Sequence, residues 1–280
     1  MLKGKLRKVF RQILQFSLVI MLLGRFSVAQ KSIKPPSADV YYTRGLAEKK
    51  EKGCDSAIED FDKAIELNPR DARFYKERGE CLTGKRNDEA LADFNEALKL
   101  KPDYVEAYYG RGNVYFHEFF RNKNSQKDKE KAFNDFNQAI ALNPRCSECY
   151  YFRAKLYFWA RDTGEKLFAD LDKAVELEPR NKEYRMWRVS LYLMLDEYQK
   201  SLADCNALLE INPQDADALL LRGHSYFYSG AYQKAIDDYT LGLKIKPVAS
   251  LAFLKNRAQA YRALGKISQA EADEKRLKGQ

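Results

Sequence analysis

A proline returns along this chain at Pro69, Pro102, Pro144, Pro179, Pro213 and Pro247, about 34 residues apart except across one longer interval. Five residues before each stands Ala64, Ala97, Ala139, Ala174 or Gly242, with Leu208 the exception. Each unit also carries a "YxxRG"-like segment, whose small residue is Gly45, Gly79, Gly112, Ala154, Gly223 or Ala258, with Val189 the odd one out. Proline cannot continue a helical hydrogen-bond ladder, so it ends the second of two helices in each unit. The small residues let the two helices approach closely, and larger ones such as Tyr115 and Phe136 fill the space around them. One such hairpin cannot bury its own apolar face. The units must therefore stack into an elongated array, with no second globular domain.

The segment "ALLLRGHSYFYSGAYQKAIDDYTLGLKIKP", Ala218 to Pro247, places Gly223, Tyr226, Ala235, Tyr239, Gly242 and Pro247 where the tetratricopeptide repeat has its motif residues. The chain resembles that family over nearly everything after residue 37. The resemblance implies an all-α, right-handed superhelical solenoid of about seven helix-turn-helix units over residues 38–280. The units start near Ala38, Ala72, Val105, Ser147, Lys182, Ala216 and Leu251. The fifth departs most, with Val189 and Leu208 at small-residue positions. The last lacks a terminal proline and ends in the polar "EADEKRLKGQ", suited to capping the stack. The resemblance is specific for fold and says little about function.

Numbered by unit, position 7 is Arg44, Arg78, Arg111, Arg153, Arg188, Arg222 and Arg257. Position 23 is Asp60, Asp93, Asp135, Asp170, Asp204, Asp238 and Asp273, once differences in turn length are allowed for. Both positions lie on apolar stripes of their helices and fall opposite each other in a helical hairpin. The expectation is a buried or half-buried Arg–Asp pair in every unit, where a guanidinium fork suits better than an ammonium. A pairing between units, Asp135 to Arg153 for instance, is equally open by spacing. Seven unrelated surface charges would not produce seven matched positions. Recurrence in every unit points to architecture rather than catalysis.

In the family the first helices line the concave surface, where positions 5, 9 and 12 form one stripe. The first unit shows Tyr42, Leu46 and Lys49; the second Lys76, Glu80 and Thr83; the last Lys255, Gln259 and Arg262. The middle four read Tyr109, Asn113, Phe116; Tyr151, Lys155, Phe158; Met186, Ser190, Leu193; and Leu220, His224, Phe227. Trp159, Trp187, Met194 and Tyr228 are close by in sequence. Each middle triplet is apolar, polar, apolar. One reading is a peptide-binding groove with an apolar floor and a polar row of Asn113, Lys155, Ser190 and His224. The other is that these side chains fill a tightly wound superhelix. The lysine and asparagine clamp with which some family members hold a C-terminal carboxylate is not apparent, since Leu46 and Glu80 occupy the stripe of the first two units.

The third unit is longer by about eight residues, in "HEFFRNKNSQKDKEK", His117 to Lys131. An extra turn on each helix with "KNSQKD" as the tip would hold them. The insertion is then either a tolerated surface feature or a second contact site beside the groove, and Phe119 and Phe120 need somewhere to pack.

The first 29 residues read as a leader. Lys3, Lys5, Arg7, Lys8 and Arg11 precede an apolar run from Ile13 to Leu23, and Ser27 and Ala29 sit at the small-residue positions before a cleavage site. Export is expected, to a periplasm or beyond. An uncleaved anchor is the alternative, although the run is short for a full span. "QKSIKPPS", residues 30–37, reads as an extended tether. The leader holds six basic residues and no acid, so the formal charge of +9 falls to about +3 without it. That removes the main support for a nucleic-acid partner.

Five cysteines remain, Cys54, Cys81, Cys146, Cys149 and Cys205, an odd number that cannot pair completely within one chain. "CSEC" admits a redox pair, a local disulfide, or two ordinary residues. His117 and His224 lie on different units with no nucleophile constellation or ligand spacing, and no glycine-rich phosphate loop is present. The expectation is a noncatalytic module without cofactor or metal that binds a protein or peptide partner as an adaptor or assembly factor. A groove for a lipid or other apolar small molecule and a membrane-anchored scaffold are the alternatives. Membrane contact is expected only through an uncleaved N-terminus.

Overall fold

The structure is a computed structural model that describes residues 36–162, 164–246 and 250–278. The leader and most of the tether lie outside the described residues. Among the described residues every regular element is a helix. They form seven antiparallel pairs: α1 (Ala38–Glu51) with α2 (Cys54–Leu67), α3 (Ala72–Leu82) with α4 (Asn87–Leu100), and α5 (Val105–Arg121) with α6 (Gln126–Leu142). Then come α7 (Ser147–Trp159) with α8 (Glu165–Leu177), and α9 (Lys182–Met194) with α10 (Tyr198–Ile211). The last two pairs are α11 (Ala216–Tyr228) with α12 (Tyr232–Ile245), and α13 (Ser250–Ala263) with α14 (Ile267–Lys278). No described helix is long and apolar enough to cross a membrane.

The segments between units show why "NP" recurs. Asn68, Asn143 and Asn212 each accept a bond from the backbone N–H two residues on, at 3.3, 3.0 and 3.1 Å. Each thereby makes a side-chain turn around its proline. Within units the turns are tighter, and Gly53, Gly84, Gly230 and Gly265 take left-handed φ values from 74° to 93°. Next-unit helices begin on Asp71, Asn181 and Asp215, whose side chains cap free N–H groups of the first turn.

In units one, two, three and six the core is built around one large ring of the second helix. Phe61, Phe94, Phe136 and Tyr239 are fully or almost fully buried. They press on the small residue of the facing helix: a Cβ at Gly112 would come within 2.9 Å of Phe136, and one at Gly223 within 2.3 Å of Tyr239. Unit five reverses the sizes. Val189 replaces the glycine, Cys205 replaces the aromatic ring, and both are fully buried. The departure read in the sequence is thus a volume-conserving exchange. Leu208 is absorbed in the next contact, packed in a cluster with Ala218 and Leu219 of unit six.

Helices α5 and α6 are each 17 residues long, against 11 to 14 in the other units. The insertion therefore extends both helices, but its tip is shorter than "KNSQKD". Gln126 already begins α6 and Ser125 caps it, so only Asn122 to Ser125 turn the chain, with Lys123 and Asn124 left-handed.

First helices of neighbouring units touch directly, α3 with α5, α5 with α7, α9 with α11 and α11 with α13. Second helices of successive units are held further apart among the described residues. This puts the first helices on the inside of the curve.

Candidate functional site

The guanidinium of each position-7 arginine forks onto the aspartate of its own unit. Arg78, Arg111, Arg153, Arg188, Arg222 and Arg257 bond Asp93, Asp135, Asp170, Asp204, Asp238 and Asp273 through both Nε and Nη2 at 2.6–2.9 Å. Arg44 pairs with Asp60 in the same way. The aspartates are buried and the arginines half-buried, apart from Arg44, whose side chain is 59% exposed and meets no acceptor from an earlier unit among the described residues. Asp135 is not paired with Arg153. The link between units runs through the third nitrogen: Nη1 of Arg78, Arg111, Arg153, Arg188 and Arg222 reaches Asp62, Asn95, Asn137, Asp172 and Asn206 of the preceding unit at 2.6–2.9 Å. Arg257 takes Thr240 instead, at 2.9 Å. These acceptors stand two residues after each aspartate. They recur in the sequence as Asp, Asn or Thr. Burial pushes the Asp93 and Asp135 carboxyls up against the pull of their arginines, while the Arg111 guanidinium is held charged by Asp135. The series is scaffold, because six of the seven arginines use all three of their outward nitrogens on their neighbours.

The concave face divides into two regions. In units one and two it closes on itself. Lys49 bonds Glu77 and Glu80 at 2.6 Å each, and Lys76 meets the same two carboxylates at 2.8 and 3.0 Å. Burial raises the Glu77 carboxyl, but the two ammonium groups outweigh it and hold it below the ordinary range. This patch is electrically satisfied and offers little to a ligand.

Units three to five are aromatic. Tyr109 meets Phe152 edge-on at 5.5 Å, and Phe116 meets Phe152 at 6.0 Å and Phe120 at 5.1 Å. Phe120 meets Trp159 at 5.5 Å, which leads through Phe158 to Trp187 and back to Tyr151. Phe116 and Tyr151, read in the sequence as groove floor, are buried, and the Tyr151 hydroxyl donates to Glu183 at 2.9 Å. The expectation that they face a ligand is corrected: in so tight a stack they fill the contacts between units. Tyr109, Phe158, Met186, Trp187, Leu220 and Phe227 are half-buried. Trp159 is 49% exposed and Phe120 41%. These two rings, with Phe158, Asn124 and Arg161, line a pocket of about 530 Å³ at the end of α5 and α7. Phe119 turns inward into the α5–α7 core. Phe120 lies one helical turn beyond Phe116, where the lengthened α5 carries the face past position 12, and Phe152 lies beside position 5 of its unit, so spacing at 5, 9 and 12 selects neither.

The polar row is not uniform. Ser190 donates to the Met186 carbonyl of its own helix at 3.0 Å. His224 Nε2 lies 2.8 Å from Asn256 Nδ2 of unit seven, and burial lowers its pKa. As a neutral imidazole it accepts that bond. Lys155 holds its ammonium over the Tyr151 and Phe152 rings at 5.1 and 4.9 Å, with no carboxylate in salt-bridge range among the described residues. Asn113 Oδ1 is buried without a hydrogen-bond partner. A charge without a counter-ion and an acceptor without a donor thus stand among aromatic walls in units three and four. No cluster of His, Cys, Asp and Glu able to hold a metal occurs among the described residues. Cys146 and Cys149 form a disulfide at the start of α7, packed against Ala139.

Family models described as tetratricopeptide repeat match residues 42–96, 169–216 and 216–248, and one described as TPR repeat matches residues 83–117. No curated protein matches the chain. Among solved structures it is similar to YrrB, described as a TPR protein with an unusual peptide-binding site. The two are 26% identical, with 69% of this chain and 95% of that one covered, at a TM-score of 0.52. A thermophilic TPR protein of Thermus thermophilus is 22% identical over 68% of this chain and all of its own, at 0.57. PilF of Pseudomonas aeruginosa is 16% identical over 79% of this chain and 97% of its own, at 0.62. The last two likenesses concern the fold alone.

Proposed function

We propose that this chain, which belongs to the tetratricopeptide repeat family of protein–protein interaction modules, grips an extended segment of a partner protein along the inside of units three to six. The observation that carries the proposal is the Lys155 ammonium, which lies over the Tyr151 and Phe152 rings with no carboxylate in salt-bridge range among the described residues. Such a surface suits a segment that brings an acidic or carbonyl oxygen to Lys155 and apolar side chains against Phe158, Trp159 and Trp187. The similarity to YrrB, a protein described as having a peptide-binding site, supports the same reading. The role is that of an adaptor or assembly factor without chemistry of its own. We place it in an exported compartment, on the leader-like first 29 residues, and the Cys146–Cys149 bond is consistent with oxidising surroundings.

The test is selection of peptides from a displayed random library on the purified chain, followed by affinity measurements on a Phe158→Ala, Phe227→Ala double variant and on Lys155→Ala. Selected peptides should lose roughly tenfold or more in affinity to each. Peptides that bind all three proteins equally would refute the groove. Native mass spectrometry adds a control, since a co-purifying apolar small molecule would favour a ligand cavity instead.

A further inference from the structure

Of the five cysteines, Cys146 and Cys149 are joined and Cys205 is fully buried in unit five. The other two, Cys54 and Cys81, come from different units yet share one core. Cys54 is the first residue of α2, and Cys81 lies near the end of α3. Both pack in the cluster formed by Ala57, Phe61, Tyr42, Leu46 and Ile58, where the neighbouring Cys54 thiol adds to burial in pushing the Cys81 thiol up. The elements around them are tied at the same place, since Lys85 just beyond α3 reaches Asp55, the residue after Cys54, at 2.7 Å.

We propose that Cys54 and Cys81 are a second disulfide pair, a closable staple between the first and second units. The oxidant is an external disulfide, such as glutathione disulfide or an oxidised dithiol catalyst. Cys54, the more exposed of the two, loses its proton and its thiolate attacks one sulfur of the oxidant, releasing a thiolate and leaving a mixed disulfide. The Cys81 thiolate then attacks the Cys54 sulfur and displaces the second oxidant thiolate. Two protein thiols give up two protons and two electrons, and one external disulfide becomes two thiols. Burial pushes the Cys81 thiol well up, which makes the second step the slow one and speeds closure as pH rises.

The staple has a structural use. Among the described residues unit one has a neighbour on one side only, and its arginine is the most exposed of the series. A bond between residues 54 and 81 closes a loop across the boundary where such an end unit would fray.

The full chain is incubated with glutathione disulfide, quenched in acid, alkylated in denaturant and digested. Mass spectrometry should find the peptides of Cys54 and Cys81 joined, two hydrogens lighter than the free pair, with Cys205 alkylated. In a Cys81→Ala variant, Cys54 should stop as the glutathione adduct. The proposal is overturned if wild-type Cys54 and Cys81 are both recovered alkylated while Cys146–Cys149 is closed. It is equally overturned if wild-type Cys54 accumulates as the adduct to the level seen in Cys81→Ala.

Discussion

Arg153 grips Asp170 of its own unit at 2.7 and 2.6 Å and, with its remaining nitrogen, Asn137 of the unit before at 2.6 Å. One side chain thus closes a hairpin and docks it on its neighbour. Replacing Asp170 with Ala leaves a half-buried guanidinium without its counter-ion and should cost about 3 kcal/mol. Asn137→Ala removes only a peripheral bond and should cost about 1 kcal/mol. Urea unfolding of both variants checks the order. Equal losses would mean that the fork has no special place in the hairpin.

Gly223 lies under Tyr239, with room for no side chain. A Cβ there would sit 2.3 Å from Tyr239 Cε1. The ring is locked in a fully packed core, so Gly223→Ala should destabilise unit six by about 1–3 kcal/mol, despite the better helix propensity of alanine. A rise in thermal midpoint would show that the ring moves aside freely.

Two buried groups give the chain a stepwise acid response. The His224 pKa is lowered from the ordinary 6.5 by burial, so the folded state holds fewer protons there than the unfolded state. Stability from this site is present above 6.5 and is lost as pH falls through the lower folded value, when Nε2 can no longer accept from Asn256. The Glu77 carboxyl is held below 4.5, so its network with Lys49 and Lys76 fails later, as pH falls below that value. Hydrogen exchange followed from pH 7 to 3 should loosen α11 and α13 first and α1 and α3 afterwards. The reverse order would contradict both assignments. In His224→Gln the first step should vanish.

Phe120 covers one edge of Trp159 while being itself 41% exposed. Phe120→Ala should therefore change stability by no more than about 1 kcal/mol. It should nonetheless raise acrylamide quenching of Trp159, measured in a Trp187→Phe background. Unchanged quenching would mean that the two rings do not pack in solution.

Much of the architecture was readable from the residues. The proline period, the small residues opposite large ones and the seven arginines and aspartates all depend on local geometry that repeats, so each copy corroborates the others. The site was less readable. Counting positions 5, 9 and 12 selects Tyr109, Lys155 and Phe158, which are half-buried, but also Phe116 and Tyr151, which are buried, and passes over Phe120. Helical spacing says which residues share a face. It does not say how deeply the next unit covers that face, nor how an inserted turn carries a ring such as Phe120 onto Trp159.

That helices pair and stack, where each ends and which positions hold buried charge are legible in the residues alone, because these follow from backbone hydrogen bonding and from a period repeated seven times. Contacts between units settle the rest: which acceptor takes the third arginine nitrogen, that Val189 and Cys205 exchange volumes, that Lys49 and Lys76 are neutralised while Lys155 meets no carboxylate among the described residues, and that Cys54 and Cys81 share one core. Each of these depends on the approach of one unit to the next. That approach is set by packing across the boundary and has no signature within any single repeat.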